Sequence, residues 1–253
     1  GFEKVVVRKR PGTESICAAI LNKYNVDTVP HLICGGFSVN ETEDALINLH
    51  YLGIDNVLVL RGDAAKNEMS FEAEPGGHKY ASDLLKQVVD LNDGIYQEED
   101  LRDSHKTAFC IGVAGYPEKH FEAPNMDADL QHLKKKVELG ADYIITQMFF
   151  DNNKYHEFVK RCREMGITVP IIPGLKPIYN KKQLTVRPKT FHIDLPSDLA
   201  NAVHKCKTDL EVEKVGAEWL LMQSRELKKS GVPVLHYYTL GRPQLIADVV
   251  GQI

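Results

Sequence analysis

Apolar residues in this chain occur in two alternating patterns. Short unbroken runs predict buried strands, and stretches where apolar residues recur every three or four positions predict helices between them. The strand-like runs are Val26 to Cys34, Val57 to Leu60, Ala108 to Ala114, Tyr143 to Gln147, Val169 to Gly174 and Val234 to Tyr238. Pro30-His31 lies inside the first of these, and proline is disfavoured in a central strand, so His31 is expected where that strand bends or ends. The helical stretches begin with Thr13 to Lys23, which carries Ile16, Ala19 and Ile20 on one stripe. The second follows an Asn40/Glu43 capping box, carries Ala45, Leu46, Leu49 and Leu52, and stops at Gly53. Further helices are predicted at Tyr80 to Leu91, at Asp129 to Leu139 before Gly140, from Asn152, near Lys182 and Ser197, at Glu211 to Lys229, and at Gln244 to Val250.

Six strands alternating with helices, undivided by a long polar linker, predict a parallel α/β architecture in one domain spanning residues 1–253. Six units fit an open doubly wound sheet or a (β/α)8 TIM barrel whose first two strands are missing from the chain. No GxGxxG follows a strand and no GxxxxGK[ST] occurs, which removes the fingerprint of the first alternative and favours the barrel. In a barrel the strand ends converge on one face, where chemistry collects. The plainest such end is Val57-Leu58-Val59-Leu60-Arg61-Gly62-Asp63, an apolar strand running into a cation, a flexible residue and a carboxylate. A surface turn at Gly62-Asp63 is the bland alternative. The loop from Ala64 to His78 is long enough to be functional.

Composition narrows the function classes. The 253 residues are 43% hydrophobic, enough for one large core, and 31 basic against 35 acidic residues leave a formal charge of −4. No basic surface argues for nucleic acid or an anionic membrane, so an anionic ligand must be held by local groups. Cys17, Cys34, Cys110, Cys162 and Cys206 are odd in number and lack metal-ligand spacing, which reads as reduced thiols in a cytoplasmic protein. No apolar run reaches the roughly 18 residues of a membrane helix.

The segments Leu60-Arg61-Gly62-Asp63, Tyr80-Ala81-Ser82-Asp83-Leu84, Tyr116-Pro117-Glu118-Lys119-His120, Ile145 to Asp151, Ile172-Pro173-Gly174, and Tyr237-Tyr238-Thr239-Leu240 with Arg242 resemble, in order and spacing, methylenetetrahydrofolate reductase. The resemblance covers nearly the whole chain. It implies a flavin-containing (β/α)8 barrel that reduces 5,10-methylenetetrahydrofolate to 5-methyltetrahydrofolate with NADH or NADPH through FAD. It places His31, Arg61, Gly62, Asp63, Tyr80, Ala81, Tyr116, His120, Ala123, Asp129, Lys135 and Lys136 around FAD. Asp63, Gln147, Gln183 and Arg242 are placed near the substrates, with Asp63 and Gln147 as the catalytic pair. Three positions depart from the family pattern: His132, Lys135 and Arg187, the last standing near a place where an aromatic residue can stack on substrate. The strand bearing the family's acidic glutamate is not found, and Gly1 is not an initiator methionine, so a preceding segment is expected.

Each assignment has a chemical reason. Arg61, His120, Lys135 and Lys136 supply the cationic or N–H donors a diphosphate needs, although Lys134-Lys135-Lys136 also reads as a solvated helix face. Asp129, His132 and Lys136 recur on one side of a helix. A carboxylate at Asp63 would disfavour negative charge on reduced flavin and favour a folate iminium. Gln147 offers a donor and an acceptor that do not titrate. Two rivals stay open: a barrel lyase with a Schiff-base lysine, set aside because no lysine ends a strand interior, and a catalytically silent flavin- or folate-binding barrel. A homo-oligomer is expected, and the end of the chain soon after its last helix predicts no regulation by S-adenosylmethionine.

Overall fold

The computed structural model describes residues 11–63, 71–239 and 241–253. The apolar run at Val5 to Val7, the first part of the Ala64 to His78 loop, and Leu240 lie outside the described residues. The chain divides into two compact units, Gly1–Val113 and Ala114–Ile253.

The first unit holds α1 (Thr13–Tyr24), β1 (His31–Ile33), α2 (Val39–Tyr51), β2 (Asn56–Leu60), α3 (Ala81–Asn92) and the first residues of β3 (Cys110–Gly115). Its strands are parallel, with His31 level with Leu58 and Val57 level with Ile111. Val57 and Val59 are fully buried and Leu58 nearly so, as an unbroken apolar run in a parallel sheet requires. Each such side chain contributes about 1.5–3 kcal/mol by leaving water.

Two local expectations are corrected here. Of the run from Val26, only His31–Ile33 is strand; Pro30 has no amide to donate to a ladder, and its carbonyl accepts from the Leu58 amide at 3.0 Å. His31 therefore opens its strand instead of closing it. The capping box of α2 is Ser38 with Glu41, two residues before the Asn40/Glu43 pair that also fits the pattern. The Ser38 amide donates to Glu41 Oε2 at 2.8 Å, and the Val39 amide is anchored on the Gly76 carbonyl at 3.0 Å, so the loop sets the helix start. Glu43 instead accepts from the Gln97 amide at 2.8 Å.

The second unit begins with the last residues of β3 and continues through α4 (Met126–Glu138), β4 (Tyr143–Thr146), α5 (Asn152–Glu164), β5 (Ile171–Ile172), β6 (Gly174–Leu175), α6 (Gln183–Phe191), α7 (Ser197–Lys205), α8 (Asp209–Lys229), β7 (His236–Tyr237) and α9 (Pro243–Val250). The helix expected from Asp129 starts three residues earlier, at Met126, because the Asn125 side chain accepts from the Ala128 amide at 2.8 Å and forms the cap. The single strand expected over Val169 to Gly174 is two. β5 pairs with β4 and β6 pairs with β7, and the switch falls at Pro173, which has no amide to give to a ladder. Its carbonyl accepts from the His236 amide at 3.0 Å. Neither unit contains a closed ring of strands among the described residues; the architecture seen is an α/β fold with parallel strand pairing.

A core of Met148, Phe150, Ile178, Ile193, Leu199, Val203 and Val212 joins α7 and α8 to the segments that follow β4 and β6. Gly216, inside α8, permits the closest approach, since a Cβ there would lie 2.0 Å from the Ile178 carbonyl oxygen. Alanine at an ordinary helix position is favoured over glycine by about 1 kcal/mol. Here the clash is with backbone, so Gly216→Ala is expected to lower stability by about 2 kcal/mol in urea unfolding. A stabilised variant would show that α8 does not need that approach.

Candidate active site

In the first unit the polar end of β2 is formed by Arg61, Gly62 and Asp63. The Cys34 amide donates to the carbonyls of Leu60 and Arg61 at 3.3 and 3.1 Å, which fixes the chain at that end against β1. Gly62 has a φ of 91° and lies 3.5 Å, at the position a Cβ would take, from the Ile33 side chain. That left-handed backbone re-aims the chain so that Arg61 is half-buried while Asp63 is exposed. The Arg61 guanidinium carbon sits 5.7 Å from the centre of the Phe71 ring. His31 lies level with Leu58, three positions before Arg61 along the sheet, and desolvation lowers its pKa below the ordinary histidine value. Tyr80 is exposed at the start of α3, with its amide donating to Asp83 Oδ2 at 3.0 Å, and Ala81 is the first helical residue.

In the second unit, Tyr116 follows β3 directly and its ring meets His120 edge-on at 4.7 Å. The loop is held by α4: the His120 amide donates to Asp129 Oδ2 at 2.9 Å, and Lys119 Nζ donates to the carbonyls of His120 and Ala123 at 3.0 and 2.6 Å. Asp129 therefore orients this loop. Ala123 is buried, while Lys135 and His132 are exposed in α4. Lys136 turns inward and donates to the Ala114 carbonyl at 2.8 Å; burial pulls its pKa down to about 8, partly opposed by Asp129.

At the end of β4, Thr146 is fully buried. Its hydroxyl accepts from the Gly174 amide at 2.9 Å and its carbonyl accepts from the Tyr238 hydroxyl at 2.9 Å. Gln147 follows, with its amide on the Gly115 carbonyl at 2.8 Å and its side-chain oxygen accepting from the Met148 amide at 3.0 Å. Its side-chain amide nitrogen remains a donor for a ligand. Gln183 and Arg242 meet at Tyr179: Gln183 Oε1 accepts from the Tyr179 amide at 2.7 Å, and the Arg242 guanidinium lies 4.9 Å over the Tyr179 ring while pairing with Glu213. The two were 59 positions apart in the chain and are brought together by the turn after β6.

Further polar residues stand near these strand ends. Lys176 follows β6 immediately and is 1% exposed, so a lysine does end a strand interior, contrary to the reason given for setting the lyase aside. Pro173 and Pro177 on either side had hidden the two-residue strand. Tyr179 and Tyr238 were also missed as site neighbours, because their roles come from tertiary contacts. Glu118 accepts from the Asp194 amide at 2.9 Å, and burial, then the Asp194 carboxylate, push its carboxyl up to about 7 against the effect of that hydrogen bond and of Lys154. Among the described residues no cluster of three metal-ligating side chains is found, and no helix is long and apolar enough to cross a membrane.

The fold is α/β with parallel strands, β2 followed by Arg61-Gly62-Asp63, β3 by Tyr116 and β4 by Gln147. The sequence model of the methylenetetrahydrofolate reductase family matches residues 6–253, and the chain belongs to that family. It is 34% identical to methylenetetrahydrofolate reductase 1 of Schizosaccharomyces pombe over 95% of its own length and 38% of that protein's. It is also 34% identical to the 5,10-methylenetetrahydrofolate reductase of Escherichia coli, over 94% of this chain and 73% of that one. The chain thus spans well under half the length of the yeast relative. A solved structure with a similar fold, at a TM-score of 0.55 and 17% identity, covers 92% of this chain and 75% of its own. It is described as an uncharacterized protein from Clostridium thermocellum that binds two copies of 5-methyl-5,6,7,8-tetrahydrofolic acid.

Glu118 yields a pH-dependent prediction. Its folded pKa of about 7 exceeds the ordinary 4.5, so the native state binds the extra proton and Glu118 costs stability progressively as pH rises between those values. Glu118→Gln should lose less stability than the parent between pH 5 and pH 7.5 in urea titrations. Parallel pH profiles for the two proteins would remove Glu118 from that role.

Proposed function

We propose that the chain is a flavoprotein oxidoreductase that reduces 5,10-methylenetetrahydrofolate to 5-methyltetrahydrofolate with NADH or NADPH through FAD, on a (β/α)8 barrel. The observation that carries the reading is the family match over residues 6–253 together with Arg61-Gly62-Asp63 and Gln147 standing directly after β2 and β4. The donor set suits the cofactor: Arg61 and Lys135 are cations, Tyr116 and His120 offer rings, and Gly62 carries no side chain at the strand end.

FAD supplies hydride transfer between nicotinamide and folate; the residues of this chain bind, orient and set the electrostatics. Arg61, Lys135 and the imidazole of His120 would hold the diphosphate and its neighbours. Lys136 and Asp129, already engaged with Ala114 and His120, would act by fixing the loop that carries Tyr116 and His120. Asp63, exposed at its strand end, would keep a negative charge beside the ring system, favouring hydride donation and a cationic folate intermediate. Gln147 would orient the pterin or the carboxamide through its side-chain amide. Gln183 and Arg242 would position the remainder of the substrate from the Tyr179 turn.

The purified protein is expected to carry a flavin absorption spectrum and to oxidise NADH or NADPH when methylenetetrahydrofolate is supplied. A protein without flavin would overturn the reading, and bound flavin without turnover would favour a silent binding barrel. Asp63→Asn should raise the flavin reduction potential and slow folate reduction more than reduction by nicotinamide. Anaerobic half-reactions slowed equally, or a lowered potential, would refute the electrostatic role of Asp63.

A further inference from the structure

Phe71 has no part in the chemistry above, yet it meets a residue that does. The Arg61 guanidinium carbon sits over its ring, 5.7 Å from the centre. The ring also packs closely on the backbone after β1, where a Cβ at Gly35 would come within 3.3 Å of Phe71 Cε2. Residues 71–78 are fastened to the turn between β1 and α2. The Val39 amide donates to the Gly76 carbonyl at 3.0 Å, and the Gly77 amide donates to the Glu74 carbonyl at 2.8 Å. A Cβ at Gly77 would stand 2.6 Å from the Phe37 carbonyl oxygen, so the two backbones approach as only glycine permits. At the end of this segment His78 Nε2 donates to Gln87 Oε1 at 2.6 Å, and Gln87, buried on α3, donates to the Val39 carbonyl at 2.9 Å. These contacts give the segment a fixed course that delivers an aromatic face to the cation after β2.

An arginine side chain is long and rich in rotamers, and one that must grip an anion loses that freedom on binding. A ring face against the guanidinium holds its plane in one orientation before the ligand arrives, and a guanidinium stacked in this way still donates within its own plane to oxygen acceptors. We propose that Phe71 is a positioning residue for Arg61, fixing its guanidinium for the anionic part of the bound cofactor. A leucine at this place would fill much of the same space but would offer no ring quadrupole to a cation. The proposal rests on the reductase reading only for the identity of that anion, which under it is the flavin diphosphate.

The test titrates FAD into the flavin-free full chain for the parent, Phe71→Leu, Phe71→Tyr, Arg61→Met and the double variant Phe71→Leu/Arg61→Met. Phe71→Leu should weaken FAD binding roughly two- to five-fold, the worth of a cation–π contact near the surface, and Phe71→Tyr, which keeps the ring, should not. In the Arg61→Met background the Phe71→Leu loss should vanish, because the ring acts only through the guanidinium. A loss of equal size in both backgrounds, or none in either, would overturn the proposal. Proton–nitrogen NMR of the same flavin-free chain gives a readout that does not depend on the cofactor. The ring current of Phe71 should displace the Arg61 Nε–H resonance in the parent, and Phe71→Leu should return it towards the ordinary arginine position. An Arg61 signal unmoved by Phe71→Leu would overturn the proposal whatever FAD does. A parent that binds no FAD while keeping that displacement would count against the reductase reading alone and leave the positioning of Arg61 standing.

Discussion

The second unit depends on what is done with one buried hydroxyl residue. Thr146 ends β4 with no exposure, and it accepts the Gly174 amide on its side chain and the Tyr238 hydroxyl on its carbonyl. A buried polar group left without partners would cost about 1–3 kcal/mol, so both bonds must form together for this strand end to be stable. They join the ends of β4 and β6 to the residue after β7. Gln147, Lys176 and Tyr238 are therefore placed by one shared anchor.

Pro173 complements that anchor. By having no amide it releases the chain from the β4 ladder, and from the next residue, Gly174, the chain is paired with β7. The turn that follows carries Lys176 inward and brings Tyr179 between Gln183 and Arg242. Gly216 lets α8 press against the Ile178 backbone from outside, so the turn is enclosed by a helix that could not approach with a larger residue. Sequence-distant side chains meet at Tyr179 through both a backbone amide, to Gln183, and a ring, under Arg242.

The two units use their charged residues differently. In the first, the cation and carboxylate at the end of β2 stand near the surface, where they can meet a ligand at little cost in desolvation. In the second, Lys136, Lys176, Arg187 and Glu118 are drawn inward and have their proton affinities shifted by burial. Lys136 has a carbonyl partner and Glu118 an amide, so these two serve the loops they hold. Lys176 and Arg187 form no ion pair with a carboxylate among the described residues, and the Arg187 guanidinium carbon instead lies 5.6 Å from the centre of the Phe191 ring.

The order of elements was legible in the amino-acid pattern, because each buried strand reads as an unbroken apolar run and each helix as a three-to-four-residue stripe. Val57 to Leu60 and Tyr143 to Thr146 are strands for that reason, and the family resemblance was carried by the residues at their ends. What the pattern could not fix was the exact end of each element. Ser38 with Glu41 and Asn40 with Glu43 satisfy the same capping rule, and only the bond from Val39 to Gly76 chooses between them. His31 reads as a strand end from its proline neighbour, but pairing with Leu58 makes it a strand start. Lys176 comes after Pro173-Gly174 in the sequence, and only the structure shows it buried directly after β6. Local sequence sets hydrophobic period and turn chemistry; burial of a charge, and which carbonyl a buried group meets, depend on residues far along the chain that only tertiary packing brings near.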